Sequence, residues 1–170
     1  KSIFLVTNGQ EPDMIQKLED ENALPTQLYL STNAADYQSF LKINRPRYDD
    51  SWERWNRTLK MLSKLHTRTV LRLTLIRGYN DNEEMVPAFA SLLRQSNAHF
   101  VEIKSYMHIG RSTNRLEYSD MLEMDEVRYF ANKLVQENSA FTVMDESEIS
   151  RIVILQNKKR FVDRFIPAYS

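Results

Sequence analysis

Four strand-like runs begin near residues 3, 27, 70 and 100, and each interval between them is long enough to hold a helix. Parallel neighbours in a sheet need crossovers of this kind, whereas antiparallel neighbours can close through a two-residue turn. The spacing therefore predicts an α/β chain with parallel strands, as a doubly wound sheet or as a segment of a barrel. Residues 3–8 read as a buried strand ended by the turn pair Asn8-Gly9. Pro12 then opens a helix with Met14, Ile15 and Leu18 on its apolar stripe. Residues 27–31 form the second strand, and Ser31, Thr32 and Asn33 are placed to cap a short helix reaching Leu41. Asp49, Asp50 or Ser51 caps a long helix with Trp52, Trp55, Leu59, Leu62 and Leu65 at helical spacing. Residues 69–76 and 100–106 give the third and fourth strands, with a helix over 83–94 between them.

After Gly110 the pattern changes. Residues 111–122 read as a polar loop, followed by a helix capped by Asp125 and carrying Val127, Phe130, Leu134 and Val135. Residues 141–144 and 152–155 are strand-like and are predicted to pair as a hairpin across an acidic connection. Lys158-Lys159-Arg160 begins a basic-aromatic tail that ends in Phe165 and Tyr169.

The strands carry a second signal. Leu28 and Leu30 alternate with Gln27, Tyr29 and Ser31; Leu71, Leu73 and Leu75 alternate with Arg72 and Thr74; Val101 and Ile103 alternate with Glu102, Lys104 and Tyr106. Successive side chains point to opposite faces, so each strand has one apolar and one polar face. Strands in helix-covered parallel sheets are usually apolar on both faces. Arg72, Glu102 and Lys104 therefore line a ligand cavity, pair with one another, or mark an exposed edge. Their common phase on two strands favours the cavity, with Tyr29 sharing it. Carboxyl ends of parallel strands are the usual binding positions; here they include Thr7, Asn8, Gly9, Ser31, Arg77, Gly78, Tyr79, Tyr106 and His108. Asn80, Asp81 and Asn82 read as a helix cap in preference to a ligand contact. Trp52 and Trp55 read as packing residues, and Arg45, Arg47 and the Lys158–Arg160 run, each in isolation, as solvated loop.

Several chemistries are excluded. With 23 basic and 23 acidic residues the formal charge is zero, so no global field announces nucleic acid, although a local patch remains open. The absence of cysteine rules out disulfides and any thiolate-held metal centre made by this chain alone, and the three histidines lack ligand spacing. No phosphate-cradling glycine loop, G-x-S-x-G elbow or H-E-x-x-H motif is present. No apolar run reaches the ~20 residues of a membrane span, which leaves the cytoplasm as the expected location. The strand-like run that follows Lys1 so closely suits equally the later part of a longer polypeptide and the trimming of a short disordered tail.

Five segments, in order, carry a family resemblance: residues 6–10 (VTNGQ), 28–31 (LYLS), 44–46 with 52–54 (NRP, WER), 72–81 (RLTLIRGYND) and 102–110 (EIKSYMHIG). The chain resembles the radical S-adenosylmethionine enzymes that make the tricyclic wyosine base of phenylalanine tRNA, the 4-demethylwyosine synthases. Residues 125–127 through 148–154 are similar to their wyosine-forming C-terminal segment. The resemblance implies a division into residues 1–110, the second half of a partial (βα) TIM-like barrel, and residues 111–170, a C-terminal helix with a two-strand extension. It implies an enzyme of the carbon–carbon lyase class that condenses N1-methylguanosine in tRNA(Phe) with carbons from pyruvate and draws on an electron donor. The family's 4Fe-4S cluster sits on a Cys-x-x-x-Cys-x-x-Cys loop, which this cysteine-free sequence lacks; the cluster would belong to a missing N-terminal half, and the chain alone would be inactive. By the same resemblance, Asn8, Ser31, Arg72, Thr74, Gly78 and Tyr79 would contact S-adenosylmethionine. Tyr29, Arg45, Arg47, Glu102, Tyr106, His108, Arg111 and Arg115 would face substrate and tRNA. Lys104 is the catalytic candidate, with an upstream lysine as the alternative. Rival readings are a radical-S-adenosylmethionine enzyme with another substrate and a degenerate half-barrel that binds RNA or a partner chain.

Overall fold

A computed structural model describes residues 1–166; Tyr169 lies outside the described residues. Six strands form one sheet in the order β1-β2-β3-β4-β6-β5. Strands β1 (Phe4–Thr7), β2 (Gln27–Thr32), β3 (Arg68–Leu75) and β4 (Phe100–Ser105) are mutually parallel. The predicted hairpin is formed by β5 (Phe141–Ser147) and β6 (Ile152–Asn157), and β6 runs antiparallel against β4. The helices are α1 (Pro12–Asp20), α2 (Tyr37–Asn44), α3 (Ser51–Met61), α4 (Val86–Ser96) and α5 (Met124–Glu137).

The predicted strand phase is realised. Leu28, Leu30, Leu71, Leu73, Leu75, Val101 and Ile103, with Val153 and Leu155 of β6, are buried and share one core with α3, α4 and α5. Burying one such side chain contributes roughly 1.5–3 kcal/mol. Trp52 and Trp55 pack as expected: their rings stack at 5.4 Å, and the buried Trp55 indole N–H donates to the Ser31 carbonyl at 3.0 Å. Gly9 is fixed by this packing. Its φ of +76° suits glycine, and a Cβ there would lie 2.8 Å from Leu30 Cδ1.

Several sequence expectations are corrected. Residues 3–6 are exposed, because β1 is an edge strand paired only with β2 among the described residues. Ser31 and Thr32 belong to β2, and α2 is capped by Asp36, whose carboxylate accepts from Ser39 N–H at 2.9 Å. Helix α3 ends at Met61, so Leu62 and Leu65 are buried just beyond it. Glu123, not Asp125, caps α5 in a reciprocal capping box with Glu126. Arg160 is not solvated loop: its guanidinium donates to the carbonyls of Leu62, Leu65 and Asn97 at 2.7–3.1 Å.

Candidate functional site

The face of the sheet opposite the core carries Tyr29 and Ser31 from β2, Arg68, Arg72 and Thr74 from β3, and Glu102 and Lys104 from β4. Registry sets Ser31 beside Arg72, Arg72 beside Glu102, and Thr74 beside Lys104. The expected single hollow is not what forms. Three cavities share this face and its carboxyl end, and the polar set is divided among them.

The first, a cleft of about 340 Å³, lies at the carboxyl ends of β3 and β4. Thr74, Lys104, Tyr79 and Tyr106 line it, and Lys42, Arg45 and Arg115 join them from α2 and from the 3-10 turn Gly110–Asn114 with its following residue. The second, of about 400 Å³, lies at the carboxyl ends of β1 and β2 and includes Asn8, Gln10, Ser31, Asn33, Arg45 and Arg47. The third, of about 300 Å³, lies toward the amino ends of the strands, where Tyr29, Arg68 and Glu102 meet Asp145 and Arg164. Midway on β3, Arg72 separates Val70, which lines the third cavity, from Thr74, which lines the first. Its Nε donates to Glu102 at 2.6 Å, and its guanidinium lies 5.5 Å from the Tyr29 ring centroid. Two alternatives read from sequence thus coexist: Arg72 and Glu102 are mutually paired, while Lys104 faces a cavity.

Lys104 has no carboxylate partner among the described residues. Burial and the nearby Arg72 charge hold its ammonium below the usual lysine range, and Glu102 offsets them only in part. Tyr106 follows the end of β4, is 5% exposed, and its backbone N–H donates to the Leu75 carbonyl at 2.7 Å. Its hydroxyl lies 3.2 Å from Nδ1 of His108, which itself lines none of the three cavities. Gly78 occupies an exposed turn with φ +71°, its N–H donating to Asp81 at 2.8 Å, and Arg111 is exposed on the 3-10 turn; neither lines a cavity described above.

Sequence reasoning did not single out Lys42, Gln10 or Asn33. Lys42 had one available signal: it lies three residues before Arg45 at a helix end, so both cations leave the same turn. The second cavity has a feature that suits a ligand rich in hydroxyl and amino groups, as S-adenosylmethionine is. Gln10 Oε1 is buried without a hydrogen-bond partner, while its amide N–H donates to the Ser51 carbonyl. Ser31 and Asn8 supply further polar groups there. An iron–sulfur cluster does not fit this chain: it contains no cysteine, and among the described residues no three His, Asp or Glu side chains gather at metal-binding distance. No helix of the described residues is long and apolar enough to cross a membrane.

Residues 95–157 match the family model for wyosine base formation. The S-adenosyl-L-methionine-dependent tRNA 4-demethylwyosine synthase of Methanocaldococcus jannaschii is 42% identical over 160 residues, 94% of this chain and 48% of that protein. The mouse protein of that name, TYW1, is 36% identical over 95% of this chain and 22% of its own length. A solved structure of TYW1 with a lysine–pyruvate adduct bound superposes with a TM-score of 0.78 at 40% identity, covering 92% of this chain and 47% of that one. A crystal structure of archaeal TYW1 gives 0.71 at 37% identity, over 94% and 47%. The chain spans about half the length of the archaeal relatives it matches. Over nearly its whole length, then, this chain is similar to about half the length of the archaeal S-adenosyl-L-methionine-dependent tRNA 4-demethylwyosine synthases, and its residues 95–157 match the wyosine-base-formation domain.

Proposed function

We propose that this chain supplies one part of a cytoplasmic radical-S-adenosylmethionine enzyme that condenses N1-methylguanosine in tRNA(Phe) with carbons from pyruvate, giving 4-demethylwyosine. The observation that carries the reading is the sheet itself: parallel strands with their helix-packed core on one face and a polar, cavity-bearing opposite face. That arrangement suits an arc of a (βα) barrel whose lumen face is β1 to β4, residues 1–110, with residues 111–170 as the wyosine-forming segment. The remainder of the barrel, the ligands of the iron–sulfur cluster and the docking place of an electron donor are assigned to a segment N-terminal to Lys1. Without that segment the chain is expected to be inactive.

In this reading Asn8, Gln10 and Ser31 hold the polar groups of S-adenosylmethionine, which supplies one-electron chemistry when bound. Thr74 and Tyr79 wall the approach from the first cleft, and the Arg72–Glu102 pair fixes the floor between cavities. Lys104 holds the pyruvate carboxylate. Its charge lies in a half-buried, carboxylate-free recess, where an incoming anion replaces lost hydration. Tyr106 and His108 share a hydrogen bond that can carry a proton out of the cleft.

The test is reconstitution of the full polypeptide carrying this chain with iron, sulfide and S-adenosylmethionine, followed by mass spectrometry of tRNA(Phe) bearing N1-methylguanosine. Formation of 4-demethylwyosine is expected; a loaded cluster that gives no modified base overturns the reading. Lys104→Gln is expected to lower the rate about 100-fold, the loss of one buried charge-assisted contact, whereas Lys104→Arg retains most of it. Equal loss in both variants would mean that the amine, not the charge, is required.

A further inference from the structure

The first cleft has a charge composition that the chain as a whole does not. Acidic and basic residues are equal in number, 23 each, yet this cleft is lined by Lys42, Arg45, Lys104 and Arg115 and by no carboxylate. Among the described residues none of the four forms an ion pair, although eleven contacts between other Lys or Arg side chains and carboxylates do form. The cations come from three separate segments: the last turn of α2 and its cap, β4, and the end of the 3-10 turn after Gly110. Each is locally held. Arg45 has a left-handed backbone, φ 47°, that ends α2. The Lys42 ammonium lies 4.8 Å from the Tyr79 ring centroid, and Arg115 Nη1 is 3.5 Å from the Ile43 carbonyl.

Like charges brought together without counter-charges repel, and a fold keeps such a set where a polyanionic ligand completes it. Lys104 lies deeper and half-buried; the other three are exposed at the mouth. Two aromatic rings, Tyr79 and Tyr106, also line the cleft, and the remaining polar lining includes Ser112. A lone carboxylate would leave most of the mouth charge uncompensated. A nucleotide within a strand fits better: its own phosphodiester and the next one each spread a negative charge over two oxygens that forked donors can take, while the attached ring can lie against tyrosine. The volume, about 340 Å³, is near the lower end of the range for ligand sites and suits one nucleotide, not a strand.

We propose that this cleft takes a single nucleotide out of an RNA strand, with Lys42, Arg45 and Arg115 clamping its phosphate at the mouth and its ring lying inward toward Tyr79 and Tyr106. This deepens the reading of the chain as part of a tRNA-modifying enzyme and rests on it. It assigns positioning to the mouth cations and leaves chemistry to the groups deeper in the cleft. A base acted on inside folded RNA must leave its stack to be reached, and a clamp on its own phosphate holds it there.

The experiment uses the full polypeptide carrying this chain and three probes: guanosine 5′-monophosphate, guanosine and inorganic phosphate, each titrated by calorimetry. Guanosine 5′-monophosphate is expected to bind more tightly than either of the other two. Lys42→Gln and Arg115→Gln are each expected to weaken it about 10-fold or more, the loss of one charge-assisted contact, with guanosine affinity unchanged. With tRNA as ligand, each variant should lower the slope of log affinity against log salt by about one. Lys60→Gln, an exposed cation on α3 away from the cleft, should alter neither quantity. Thermal melting of each variant separates loss of contact from loss of fold. Unchanged nucleotide affinity in folded Lys42→Gln and Arg115→Gln would overturn the clamp. If the variants lose the nucleotide but the wild-type polypeptide makes no wyosine base, the cleft stands as a nucleotide site and the enzymatic reading falls. If the base is made while the variants bind nucleotide normally, the enzyme stands and the clamp falls.

Discussion

Asn80 ties the end of β3 to its surroundings through one buried amide. Its Oδ1 accepts from the Ile76 N–H at 2.6 Å, and its Nδ2 donates to the carbonyls of Thr74 and Asn33 at 2.9 and 2.8 Å. The residue has no exposed surface, so Asn80→Ala would leave buried backbone groups without partners. The expected cost is about 3 kcal/mol, read as a shift in urea midpoint at unchanged slope. The clasp also fixes the strand end that presents Thr74 to the cleft, so affinity for nucleotide should fall with stability. From sequence, Asn80 was grouped with Asp81 and Asn82 as a cap. Asn82 does cap, accepting from Met85 N–H at 3.1 Å, but the three asparagine and aspartate side chains take separate partners, and propensity cannot distinguish them. His99 shows a different residue-level effect. It is buried beside Thr69, whose backbone N–H donates to its Nδ1 at 3.1 Å, and burial lowers its pKa from 6.5 to about 4, aided by Arg160 and Arg68. The neutral form is the folded form. Its stabilisation is complete above pH 6.5 and is lost as pH falls from there toward 4, because the unfolded chain takes up the proton first. Denaturation at pH 7.5 and pH 5.5 should show the fall, and His99→Gln should flatten it; an equal slope in both proteins would remove His99 as the cause.

At the scale of elements, most of the fold was legible and most of the caps were not. Alternation in residues 27–31, 71–75 and 101–104 marked both strand position and facing, because one face must meet the helices. Helix boundaries depend on which of several adjacent Ser, Asp, Asn or Glu side chains reaches back to the first turn, and Asp36 and Glu123 were chosen by geometry that the sequence does not display. The tail was least legible. Its basic run looks solvated, yet it crosses from the carbonyls behind α3 and α4 to the amino ends of β2 and β3. Arg160 bonds Leu62, Leu65 and Asn97; Arg68 of β3 donates to the carbonyls of Asp163 and Arg164 at 2.6 and 3.0 Å; Gln156 donates to Val162 at 2.8 Å. Arginine can make this contact because its planar fork serves several carbonyls, and helix C-terminal carbonyls lack partners of their own. Arg160→Ala is therefore expected to destabilise the chain by about 2 kcal/mol and to expose the tail to protease. Arg160→Lys should recover only part, since one ammonium cannot span the carbonyls that the guanidinium reaches. Limited proteolysis followed by mass spectrometry reads both outcomes, and a tail as resistant in Arg160→Ala as in the wild type would show that the tail is held without Arg160, by contacts such as those of Arg68 and Gln156.

The whole molecule is an asymmetric sheet, and both of its exposed features bear on what else it meets. One face is filled by helices; the other presents charged and polar groups in three cavities, the first two of which share Asn33 and Arg45. The division was not legible, because sequence gives the phase of Tyr29, Arg72, Glu102 and Lys104 but not their height along the strands, nor the pairing that consumes Arg72 and Glu102. The edge was misread for a related reason. Ile3, Phe4, Leu5 and Val6 have the composition of a covered strand, and they are 64, 54, 37 and 50% exposed. Apolar side chains on both faces of β1 and a backbone edge that no described residue pairs together make a surface that promotes strand addition. The proposed barrel arc accounts for this composition, since another strand would pair there and a wall would continue around the lumen. The isolated 1–170 chain should therefore self-associate through β1. Light scattering across a concentration series should show a mass that rises above the 20.1 kDa of the monomer. Leu5→Lys, which places a charge on the edge strand away from all three cavities, should return the mass to that of the monomer without altering nucleotide affinity. A wild-type chain that stays monomeric at high concentration would mean that β1 tolerates water as it is, and the case for a further strand beside it would lose its physical basis.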